Sequence, residues 1–64
     1  MPIVSITLVA GRDQARIAEM VTAVTDAIVT TLEAPRDSVR IVINEVPPWH
    51  FAAGGTLKGP PPGT

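Results

Sequence analysis

Three residues of this sequence have types and positions suited to chemistry: Pro2, Arg12 and Arg40. Pro2 follows Met1 at the head of a strand-like run, "MPIVSITLVAGR". An initiator methionine before proline is commonly removed, and removal leaves Pro2 with a free secondary amine. That amine is the one base on offer with a rigid position, and its chemistry is proton transfer. The alternative is plain: proline is tolerated at the first position of a strand. Arg12 closes the same run. Arg40 lies inside "SVRIVINEV", on the face opposite Val39, Ile41 and Ile43. A cation within an apolar strand needs a partner. Either a structural ion pair or bidentate capture of a ligand carboxylate meets that need.

Other polar residues read as structural. Ser5 or Ser38 as a nucleophile would need His50, and nothing in the spacing points them together. Asp13, Asp26, Glu33 and Asp37 fall at caps, turns or a solvated helix face. Glu45 sits near a strand end, where a charge discourages edge-to-edge pairing. His50 reads as a loop residue. Trp49 and Phe51, the only aromatics, sit close in sequence and suit core or interface packing. With no Cys and one His, thiolate and multi-histidine metal sites are excluded.

The elements that must position these residues follow from periodicity. Ile3 to Val9 alternates, with Val4, Ile6 and Leu8 on one apolar face and Ser5 and Thr7 on the other, which predicts a strand. Asp13 is a helix N-cap by type and place. From Gln14 to about Leu32, the residues Ile17, Met20, Val21, Val24, Ala27, Ile28 and Leu32 recur at helical spacing. Many valines and threonines weaken this helix in isolation, so it must pack on a sheet. Pro35 ends it. Ser38 to Val46 is a second strand, stopped by Pro47-Pro48. A crossover containing a helix makes the two strands parallel and right-handed. "WHFAAGGTLK" reads as a turn or small hairpin pivoting on Gly54-Gly55. Residues 58–64 form a Pro/Gly-rich extended tail. The fold class is α+β: one β-α-β unit, a two-stranded parallel sheet and a small C-terminal hairpin.

A single domain of 64 residues is marginal alone, because it buries only about 60% of its unfolded surface. Small scaffolds rely on disulfides, metals or oligomerisation, and here oligomerisation is the route left. The uncovered sheet face and edges point the same way. Five basic against six acidic residues give no basic run for nucleic acid. No stretch reaches the ~18 apolar residues of a membrane span, and no signal peptide is visible. The expectation is a soluble cytoplasmic protein.

In order and spacing, Pro2, Arg12, Arg40 and Phe51, with the segments "MPIVSITLVAGR", "LEAPRDSVRIVINEV" and "HFAAGG", resemble the 4-oxalocrotonate tautomerase family. The resemblance spans nearly the whole chain. It implies a β-α-β subunit assembled as a hexamer, a trimer of dimers, with active sites between subunits. It implies a cofactor-independent isomerase acting on 2-hydroxymuconate-like dienols of aromatic hydrocarbon catabolism. Pro2 would be the general base and then acid. Arg40 would bind one carboxylate and the adjacent enol oxygen, Arg12 would hold the distal carboxylate, and Phe51 would form an apolar wall. Haloacrylate dehalogenases of the same superfamily are an alternative. They need a carboxylate to activate water, and Ala52-Ala53 supplies none. A non-catalytic oligomer subunit is the third reading.

Overall fold

The structure, a computed structural model, describes residues 1–63; of the tail, Thr64 lies outside the described residues. The chain forms strand β1 (Ile3–Val9), helix α1 (Gln14–Leu32) and strand β2 (Arg40–Val46). The short strands β3 (Ala52–Ala53) and β4 (Thr56–Leu57) follow. Strands β1 and β2 pair in parallel, from Ile3 beside Arg40 to Val9 beside Val46. The β-α-β unit and the C-terminal hairpin are therefore both present.

Burial follows the alternation of the strands. Val4, Ile6 and Leu8 on β1, with Ile41 and Ile43 on β2, are half-buried, while Ser5, Thr7, Val42 and Asn44 are exposed. Leu8 meets Ile17 and Met20 of the helix around one groove, so the half-buried face is the one α1 covers. The helix turns Ile17, Met20, Val21, Val24 and Ile28 toward it. Ala27 and Leu32, counted with that stripe by periodicity, are exposed instead, Leu32 by 65%. Leu32 is the last helical residue, where the stripe has no more sheet to cover.

Asp13 caps the helix as its type predicts, its side chain accepting from the Ala15 N–H at 3.3 Å. The other end carries strain. Glu33 caps the helix in the left-handed region, with φ 54° and ψ 38°. A side chain with a Cβ is disfavoured there by roughly 1–2 kcal/mol, and glycine is the usual occupant. Glu33→Gly should therefore stabilise the protein by about 1 kcal/mol per chain, offset in part by the unfolded-state entropy of glycine. Urea denaturation checks this; a variant less stable than the parent would mean that Glu33 makes a compensating interaction.

The second strand begins later than the alternation suggests, at Arg40 rather than Ser38. Pro35 is the reason. Its carbonyl accepts both the Ser38 N–H (3.0 Å) and the Ser38 hydroxyl (2.7 Å), winding Arg36–Ser38 into a 3₁₀ turn. A second such turn, Pro48–His50, follows β2. The hairpin turns at Gly54 and Gly55, with φ 60° and 82°. Two successive positive φ values are what a type I′ turn demands, and glycine supplies them without strain.

One copy of the chain does not enclose a core. Ile17, at 5% exposure, is the one buried hydrophobic residue described. The radius of gyration is 15.2 Å, against about 11 Å for a compact domain of this length. The accessible surface is 4729 Å² for a 6.7 kDa chain, where a compact monomer would show about 3,900 Å². The excess is apolar in part: Ile3 and Val42 stand on the uncovered sheet face, 68% and 49% exposed.

Candidate active site

The parallel register decides which candidate residues meet. Ile3 lies beside Arg40, and the Arg40 N–H donates to the Pro2 carbonyl at 3.0 Å. Pro2 and Arg40 are thus neighbours at the N-terminal end of the sheet, although 38 positions separate them in the sequence. Pro2 is half-buried, whereas Met1 is 78% exposed. The encoded chain ties the Pro2 nitrogen into the Met1 peptide bond, and that bond lies at an open surface.

Arg40 is exposed on the uncovered sheet face, with Ile3 and Val42. Of the two partners the sequence left open for it, a structural ion pair is absent. Among the described residues, the ion pairs are Arg16–Glu19 and Arg36–Asp26, both exposed. No side-chain hydrogen bond or ion pair engages Arg40 or Arg12 among those residues. Both guanidinium forks are therefore unengaged by the described residues.

Arg12 and Phe51 lie at the other end. The Ala10 N–H donates to the Val46 carbonyl at 2.7 Å, fastening the C-terminal ends of β1 and β2 together. Gly11 then turns the chain with φ 126°, a conformation reserved for glycine, and delivers Arg12 just ahead of the helix. Arg12 borders a groove of about 270 Å³ lined by Leu8, Arg16, Ile17 and Met20. Phe51 follows the second 3₁₀ turn and is 36% exposed. Its backbone is pinned at both sides: its N–H donates to Pro48, and its carbonyl accepts from the Lys58 N–H at 2.9 Å. Six strand steps separate the two ends, which is about 20 Å. One small acid cannot touch Pro2 and Arg12 of the same copy.

The remaining residues take structural places. Ser38 is spent on the Pro35 carbonyl. His50 packs edge-on against Trp49, ring centroids 6.3 Å apart, and among the described residues no side-chain hydrogen bond joins it to either serine. Asp26 pairs with Arg36 at 2.7 Å. Glu45 is exposed beside Leu8. The hairpin strands carry alanines, threonine and leucine, so no carboxylate stands there to activate water. Among the described residues, no three His, Cys, Asp or Glu side chains gather to hold a metal, and no helix is long and apolar enough to cross a membrane. Arg16 was not singled out by sequence. Its signal was a spacing of four from Arg12 across the helix start.

A family model described as "Tautomerase enzyme" matches residues 2–60. The chain belongs to the tautomerase family. It is 43% identical over 58 residues to a "Probable tautomerase" of Ralstonia nicotianae, covering 91% of this chain and 83% of that protein. A 4-oxalocrotonate tautomerase isozyme structure from Methylibium petroleiphilum superposes with a TM-score of 0.86 at 38% identity, over 89% of each chain. A heterohexameric 4-oxalocrotonate tautomerase from Chloroflexus aurantiacus also gives 0.86, at 34% identity, over 91% of this chain and 94% of that one. The family match covers the strand ends that carry Pro2, Arg12 and Arg40, together with Phe51.

Proposed function

We propose that this family member is a cofactor-independent isomerase that converts a 2-hydroxymuconate-like dienol to its 2-oxo isomer. The observation that carries this reading is the pairing of Pro2 with Arg40 across the sheet end. It places the residue that carries the nitrogen beside a residue whose guanidinium has no hydrogen-bond or ion-pair partner among the described residues. After loss of Met1, the Pro2 amine takes the proton of the 2-hydroxyl. It returns a proton to carbon, so the diene's end becomes the new C–H. Arg40 holds the adjacent carboxylate and faces the oxygen on which charge develops. Arg12 binds the distal carboxylate, and Phe51 contributes an apolar wall.

The separation of the two ends requires a second copy, whose Arg12 approaches the Pro2 of the first. The exposed Ile3 and Val42 give the copies an apolar surface to share. A closed homo-oligomer, a hexamer built as a trimer of dimers, satisfies both needs. The test combines two measurements on one sample. The purified protein should accelerate loss of 2-hydroxymuconate absorbance, and sedimentation at micromolar concentration should show an oligomer with little folded monomer. A stable, folded, active monomer would overturn the shared site.

A further inference from the structure

Arg16 is placed against the rules that stabilise helices. It is the third residue of α1, a first turn with no acidic residue. A cation near a helix N-terminus opposes the macrodipole, and a carboxylate is the usual companion of this position. Its side-chain partner among the described residues, Glu19, touches it at 3.2 Å, with the two side chains 74% and 67% exposed. Such surface pairs contribute little and exchange readily. Arg16 shares a groove with Arg12, whose guanidinium has no partner among the described residues. The groove floor is apolar, built from Leu8, Ile17 and Met20, and no carboxylate lines it. Two guanidinium groups over an apolar floor fit the end of an anionic carbon chain.

We infer that Arg16 joins Arg12 as a clamp for the distal carboxylate of a dicarboxylate substrate, with the carbon chain lying toward Leu8 and Met20. The inference rests on the function proposed above and assigns a specificity-determining residue to it. The clamp holds the carboxylate bonded to the carbon that receives the proton, so its contribution is read in kcat/KM for the dicarboxylate. Glu19 competes for Arg16 and weakens the clamp.

The test uses the whole oligomer and two substrates: 2-hydroxymuconate, and 2-hydroxypenta-2,4-dienoate, which lacks the distal carboxylate. Arg16→Ala should lower the preference for the dicarboxylate, read as the ratio of kcat/KM for the two substrates, by about ten-fold, as expected for one charge-assisted contact. Removing a cation from the helix start does not threaten folding. Arg16→Lys should restore part of the preference, and Glu19→Gln should increase it by freeing Arg16. An unchanged preference in Arg16→Ala, with both substrates still turned over, overturns the clamp and leaves the proposed function standing. If that variant instead alters oligomer dissociation, the groove holds a carboxylate of a neighbouring copy, and the clamp is again overturned. Failure of the parent protein to turn over either dienol removes the proposed function, and the clamp with it.

Discussion

Arg40→Ala should lower kcat and raise KM together, a loss of about 2–4 kcal/mol in transition-state stabilisation if one preorganised donor is removed. Both parameters move because the guanidinium has two tasks in the proposed reaction. Holding the carboxylate is uniform binding, felt equally by substrate and transition state. Facing the enol oxygen is worth more as charge develops there, and only that increment raises kcat. The structure makes this substitution clean. Arg40 sits at the strand start through its backbone, whose N–H is given to the Pro2 carbonyl. Its side chain forms no hydrogen bond or ion pair with a described residue, so truncation breaks none among them. Steady-state kinetics and sedimentation of the variant check the expectation. Full activity in an intact oligomer would make Arg40 a structural residue.

How far the sequence carried this site is clearest from particular residues. Strand β1 and helix α1 were legible to their ends, because alternation, an N-cap aspartate and a helical stripe all agreed. The start of β2 was not. "SVRIV" alternates through Ser38, but a strand needs its backbone groups for the ladder, and Pro35 had already taken the Ser38 N–H and hydroxyl. Leu32 was read into the core by period alone, since periodicity cannot tell where the covering sheet stops. Arg40's lack of a partner was also beyond the sequence, which could only say that a cation in a strand needs one. The neighbourhood of Pro2 and Arg40 follows from parallel pairing, but the register that sets Ile3 beside Arg40 had to be observed. The split of the candidate residues between the two sheet ends is likewise a property of the topology. It turns a short chain's need for partners into a statement about where a complete site can form.

Blocking the Pro2 nitrogen should abolish isomerisation altogether, the largest effect expected of any change to this chain. The base in the proposed reaction is the free amine, and a nitrogen acylated by a retained Met1 has no lone pair available for a proton. A free α-amino group titrates near ~7.7–8.0, and a secondary amine is intrinsically more basic. Such a group would be mostly protonated at neutral pH. Two features of the proposed site work against the ammonium form. Arg40 stands next to Pro2 across the ladder, and a neighbouring copy's Arg12 adds a second positive charge; like charges disfavour a further cation. In the proposed oligomer, packing of copies over the exposed Ile3 and Phe51 would remove water, which disfavours it again. In the proposed site the amine's pKa should therefore lie below that of a free prolyl amine, and activity should rise with pH through that lowered value, where a general base is most effective. The ring fixes the nitrogen's direction, a benefit of orientation that a primary amine lacks. Pro2→Ala should accordingly be slower yet active, while alkylation of the amine should leave nothing. Intact mass measurement fixes which preparations have lost Met1. A preparation in which every chain retains Met1, yet which isomerises the dienol at the full rate, would show that Pro2 is not the base.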